Sequence, residues 1–468
     1  MAKIRFQYFC QSCGETYSKW AGKCDSCNEW NTIIEGPSRR ESGHRFNNNS
    51  KQGRSIPLVC LSEEPLKEEK RIQTNIAELD RVTGGGFVSG SVILVGGDPG
   101  IGKSTLLMQT AAALANKKHR ITYVSGEESI GQIRLRAQRL NTINSNFKVA
   151  IETNVEDILE TLSSNEKTDL VIIDSIQTLW SQSSESSPGT VMQVRNSVQL
   201  IIQYAKMNNV SMVLVGHVTK EGQIAGPRVI EHMVDAVLYF EGSARNTQYD
   251  YRILRSVKNR FGPTDEIGVF EMSDKGLQEI SNPSRIFLSN RDSKYPGAAV
   301  FAGIEGTRSL LVEIQSLVVP TSLGMPRRTV VGWDTARLAM ILAVLEARCN
   351  IKFGGHDVHL NVAGGYRISE PAADLAVAAA LISSIFSISL PNDCVYFGEI
   401  SLSGDLRSVG HTQQRLKEAE KIGFLSGVFP ETPRGECKVG AINNKYISNL
   451  NDLVQQITDL QEDRSKLV

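Results

Sequence analysis

The segment Gly97-Asp98-Pro99-Gly100-Ile101-Gly102-Lys103-Ser104 fits GxxxxGK[ST] and lies between an apolar run, Ser91 to Val95, and a helical one, TLLMQTAAALA. Glycines in such a loop let backbone N–H groups wrap phosphates at the N-terminus of the next helix. Lys103 then reaches the β- and γ-phosphates, and the Ser104 hydroxyl can ligate Mg2+. The expected ATP contacts are Gly97, Asp98, Pro99, Gly100, Ile101, Gly102, Lys103, Ser104 and Thr105. Asp174 closes the apolar run Leu170-Val-Ile-Ile, where a carboxylate can hold Mg2+ through water. The alternative for Asp174 is a helix N-cap.

Hydrolysis also needs a group that activates water. Asp174 is followed by Ser175 and not by a glutamate, a departure from the AAA+ pattern, so the base is sought on another strand end. Ser125-Gly126-Glu127-Glu128 follows the run Ile121-Thr-Tyr-Val, and Glu127 is taken ahead of Glu128 as the catalytic base. The alternative for both is a pair of acids in a helix first turn, favoured there by the dipole. The run Ser211 to Val215 ends in Gly216-His217. His217 suits either a γ-phosphate sensor or a structural histidine. Lys220 and Arg228, in the polar stretch that follows, suit contacts with a polyanion such as DNA. A base on a neighbouring strand end is a RecA-type arrangement.

A second chemistry sits at the N-terminus. Cys10-x2-Cys13-x10-Cys24-x2-Cys27 brings two CxxC knuckles together so that four thiolates can converge on Zn2+. Four protein ligands leave no position for a substrate, so the zinc is expected to be structural and the module to present a surface to a partner. The other four of the eight cysteines, Cys60, Cys349, Cys394 and Cys437, are scattered.

Elements of two periods must position these groups. Between about 71 and 275, short apolar runs (VILVGG, ITYVSG, LVIIDS, SMVLVGH) alternate with helical patterns, as βαβ units and a largely parallel sheet require. A second α/β region begins near 285 with strands (AVFAGIEG, SLLVEIQSLVVP) and continues with helices, Thr335 to Cys349 and Pro371 to Ser384. The expected domains are 1–35, a zinc finger; 36–70, a polar flexible linker; 71–280, a P-loop ATPase; and 285–468, a further α/β domain. The 468 residues suit roughly three domains at about 150 each. Fifty-one Lys and Arg balance 51 Asp and Glu, which excludes a globally basic nucleic-acid binder and makes any such surface local. With 41% hydrophobic residues, disorder throughout the chain is excluded. The N-terminus lacks a secretory pattern, and the longest apolar stretch, Ala372 to Leu390, contains Asp374 and four serines. A cytoplasmic protein without membrane contact is expected.

The paired CxxC with Trp20-Ala-Gly-Lys-Cys24, the phosphate loop, SGEES and Lys258-Asn259-Arg260-Phe261-Gly262 together resemble the bacterial RadA (Sms) family, over nearly the whole chain. The resemblance implies a RecA-like, ring-forming, hexameric ATPase acting on single-stranded DNA and branched intermediates in homologous recombination and repair. It also implies that recombination or replication proteins meet the zinc finger. On residue types alone, KNRFG is a solvated turn, or else Lys258 and Arg260 serve a neighbouring subunit's ATP or couple to DNA. The last 180 or so residues resemble the Lon protease domain through Gly354-Gly355-His-Asp-Val, Glu370-Pro-Ala-Ala-Asp374 and Gly398-Glu399-Ile-Ser-Leu-Ser-Gly404. Lon chemistry needs a serine nucleophile and a lysine base; the matching positions hold Ala372 and Gln413, and Ser369 and Lys417 are off register. No active peptidase is expected. An ATP-dependent protease or unfoldase, and an ATP-gated scaffold for repair proteins, are the competing readings.

Overall fold

The computed structural model describes residues 6–10, 16–17, 19–25, 30, 32–37, 70–184, 186–216, 229–242, 251–264, 266–288, 295–321, 325–431 and 440–465. They pack as two compact units, Met1–Phe240 with Val257–Gly262, and Glu241–Ser256 with Pro263–Val468. In this division residues 241–256 and 263–280, which the sequence places within 71–280, group with the second unit. The reason is apolar: Tyr251, Ile253, Ile267 and Val269 are buried in the second unit's core.

In the first unit six strands pair in parallel in the spatial order Ala236–Gly242, Val92–Gly97, Ser211–Val215, Leu170–Asp174, Ile121–Ser125, Lys148–Ile151. The three central strands are buried on every residue, as a parallel sheet covered on both faces demands. Val92, Leu94, Ile173 and Leu214 join Ile158, Val198 and Ile201 from flanking helices in one core; each such side chain contributes roughly 1.5–3 kcal/mol by leaving water. Because all six strands run the same way, their carboxyl ends reach one edge of the sheet. Ahead of this sheet, Phe6–Cys10 pairs with Thr16–Tyr17 and with Ile33–Pro37 in a small antiparallel sheet.

The second unit holds a mixed seven-stranded sheet in the order Arg328–Val331, His356–Val362, Arg308–Pro320, Ala298–Glu305, Cys394–Tyr396, Ser426–Phe429, Asn443–Tyr446. The helix Thr335–Cys349 lies where the sequence puts it, and Pro371–Ala373 forms a 3-10 turn leading into the helix Asp374–Ile385. That helix is buried almost along its whole length. No helix among the described residues is long and apolar enough to cross a membrane.

Two charged pairs hold the start of this helix. Asp374, 0% exposed, accepts two hydrogen bonds from Arg337, both at 2.6 Å, and one from the amide of Ile400 at 3.0 Å. Glu370 receives both Nη atoms of buried Arg415, whose Nη1 also donates to Ala302 O at 2.7 Å. Ala372, 1% exposed, lies between these acids, while Gln413, Ser369 and Lys417 are exposed. Burial pushes the Asp374 carboxyl up against the opposing pull of Arg337 and the Ile400 amide. Arg337→Ala should therefore destabilise the chain by about 3–5 kcal/mol at neutral pH, because a buried carboxylate loses its partner. The deficit should shrink as pH falls, since the unpaired acid takes up a proton in the folded state before it does in the unfolded chain. Urea unfolding at two pH values measures both.

Candidate active site

The phosphate loop follows from strand geometry. The strand Val92–Gly97 ends in a glycine at φ 151°, where a Cβ would lie 2.4 Å from Phe240 O; only glycine fits. The loop Asp98–Gly100 is exposed, and the helix Lys103–Asn116 begins after Gly102 with no side-chain cap. Its first-turn amides are thus left for another acceptor. Lys103 is buried, and its Nζ donates to Gly97 O at 2.7 Å and Asp98 O at 2.9 Å. Burial pushes its ammonium pKa down, and the nearby charges of Asp174, Asp98 and Glu127 oppose that. Lysine and three carboxylates therefore share one neighbourhood. Ser104 and Thr105, both half-buried, open the helix beside Lys103.

Asp174 ends its strand and is 7% exposed. The 3-10 turn Ile176–Thr178 that follows takes no side-chain cap, so Asp174 is not an N-cap. Its Oδ2 accepts the Tyr123 hydroxyl at 2.7 Å, and its carbonyl accepts the Gly126 amide at 2.8 Å. Tyr123 is fully buried, and desolvation together with the Asp174 charge holds its phenol well above the usual range. Ser125 lies opposite Asp174 in the parallel register.

Glu127 and Glu128 separate at this point. The helix Ile130–Arg139 starts from a capping box, in which Ser129 accepts from the Gln132 amide and the Gln132 side chain accepts from the Ser129 amide. Both glutamates therefore precede the cap and neither is a first-turn acid. Glu128 pairs with Arg136, while Glu127 accepts the hydroxyl of buried Ser175, the residue after Asp174. The structure thus brings together Gly97, Lys103, Ser104, Glu127 and Asp174. His217, Lys220 and Arg228 lie outside the described residues.

Lys258 and Arg260 stand elsewhere. Lys258 Nζ donates to Glu231 O, His232 O and Val234 O at 2.8, 3.1 and 2.8 Å, closing the end of the short helix Val229–Met233. Burial and the Arg260 charge push its pKa down. Arg260 has a side chain 52% exposed and pairs with Asp235 Oδ1 at 3.1 Å. Asp235 Oδ2 in turn accepts the amide of Val92 at 3.1 Å. KNRFG is thus anchored at the beginning of the strand whose other end, about 16 Å away at ordinary strand rise, carries the phosphate loop. Within one chain these cations do not face the loop.

Tyr123, Ser175 and Asp235 were not singled out by motif. A tyrosine inside a largely buried strand (ITYVS) and an aspartate just before an apolar one (VDAVLYF) are the available signals, because each buried polar group must find a partner.

In the N-terminal module Cys10 and Cys24 are buried in one cluster with Ile33. Tyr17 Oη lies 3.1 Å from Cys24 Sγ, and Cys10 Sγ lies 3.2 Å from Thr32 Oγ1. Two soft thiol donors shielded together suit zinc; Cys13 and Cys27 lie outside the described residues.

Comparison with known proteins fits this arrangement. Residues 61–223 match the AAA domain family, residues 8–35 a rubredoxin metal binding domain, and residues 337–460 the Lon protease (S16) C-terminal proteolytic domain. The DNA repair protein RadA of Brucella abortus is 62% identical over 466 residues, 98% of each chain. The chain belongs to the RadA family of DNA repair proteins. RadA proteins of Rickettsia bellii and Pseudomonas aeruginosa are 50% and 48% identical, covering 91% and 92% of this chain and 93% and 94% of their own. The chain is accordingly a RecA-like P-loop ATPase of DNA repair with a zinc-ribbon module and a Lon-like domain. Cys24→Ser should release the zinc, read by elemental analysis of the purified chain, and leave nucleotide binding by the first unit intact; unchanged zinc content would remove Cys24 from the ligand set.

Proposed function

We propose that this RadA-family ATPase is a DNA-dependent motor. It assembles as a hexameric ring, binds single-stranded DNA and drives branch migration or processing of recombination intermediates. The observation that carries the reading is the convergence of Lys103, Asp174 and Glu127 at one sheet edge while Arg260 is half-exposed at the opposite end of the phosphate-loop strand. In this reading the loop amides and Lys103 hold the phosphates, and Glu127 orients and deprotonates the attacking water. Ser104 and Asp174 would hold Mg2+, which would offset charge on the phosphates when bound. The donor set suits it, since Asp174 Oδ1 has no hydrogen bond among the described residues.

An exposed cation far from its own loop is suited to a neighbour's nucleotide, so Arg260 is assigned an intersubunit role, with DNA coupling the alternative readout. Lys258 supports that role by fixing the adjacent helix end. Lys220 and Arg228 are assigned to DNA phosphates, His217 to sensing of the γ-phosphate, and the zinc module to a recombination or replication protein. The Lon-like domain acts as a scaffold without peptidase activity, since Ala372 and Gln413 can supply neither nucleophile nor base.

ATP hydrolysis should rise when single-stranded DNA is added, and the stimulation should fade as salt increases. Glu127→Gln should lower turnover about a hundredfold or more while retaining nucleotide binding. Intact turnover with no DNA response at any salt would overturn the motor reading.

A further inference from the structure

We propose that Tyr123 is a positioning residue for magnesium-linked nucleotide binding: its hydroxyl fixes the Asp174 carboxylate so that one oxygen alone faces the metal. The proposal rests on the reading of Asp174 as the magnesium arm. The geometry supplies the rest. Tyr123 Oη donates to Asp174 Oδ2 at 2.7 Å, and both side chains are buried. The two residues come from adjacent strands in register, Tyr123 opposite Ile172 and Ser125 opposite Asp174. The backbone of Asp174 is held from the same side, through the Gly126 amide on its carbonyl at 2.8 Å.

A free carboxylate rotates about its last side-chain bond and can present either oxygen. Here one lone-pair face of Oδ2 is taken by a fully buried phenol, whose ring is packed within the strand Ile121–Ser125. The carboxylate plane is thereby set before any ligand arrives. An outer partner of this kind typically changes metal affinity by one to two orders of magnitude when removed. It leaves phosphate contacts made by the loop and Lys103 untouched. Tyr123 therefore acts on the magnesium-dependent part of nucleotide affinity and on no other part.

The experiment compares binding of a fluorescent ADP analogue to the full chain with Mg2+ and with EDTA, in wild type, Tyr123→Phe and Asp174→Asn. In Tyr123→Phe the ratio of the two affinities should fall on the order of tenfold while the EDTA affinity stays at the wild-type value. An unchanged ratio, or an equal loss in both conditions, would overturn the proposal. Asp174→Asn separates the two readings: a ratio that survives this change removes Asp174 from the magnesium site. Loss of the ratio in Asp174→Asn with retention in Tyr123→Phe sinks only the role given to Tyr123.

Discussion

Parallel strands deliver their carboxyl ends to a single edge, and the chain must leave that edge through loops before returning along a helix. The nucleotide chemistry of the first unit follows from that constraint. The phosphate loop, Asp174 and Glu127 are far apart in sequence, yet each lies at or just past the carboxyl end of a strand of the same sheet. Helix starts face the same edge, so backbone amides are added to the side chains there. The AAA domain match and the adjacent-strand glutamate are compatible on this basis, since the sheet places a base equally well from either neighbour.

In the second unit the turn Pro371–Ala373 carries a buried alanine, and an arginine pairs with the acid on each side of it. Buried bidentate pairs are poor sources of net stability compared with apolar packing. What they do supply is a fixed direction of entry for the helix Asp374–Ile385, whose apolar surface offers no register of its own.

Much of this was legible in the chain. The phosphate loop, the four central strands and the helix Thr335–Cys349 are written as local patterns a few residues long. Asp174 and Glu127 were readable as strand-end acids, although the choice between Glu127 and Glu128 became firm only through the capping box at Ser129 and the pairing of Glu128 with Arg136. The supports were not legible, because Tyr123, Ser175 and Asp235 gain meaning from partners 51, 48 and 25 residues away. The edge between the two units was hidden for another reason. Apolar strand residues such as Ile253 and Val269 have the same composition whichever core they enter.

Asp235 is a shared fastening. One of its oxygens grips the amide at the root of the phosphate-loop strand, and the other grips an arginine that reaches solvent. Any partner that draws Arg260 away must unhook it from the carboxylate that moors this strand. An arginine at the surface and the first amide of a buried strand thus share one carboxylate.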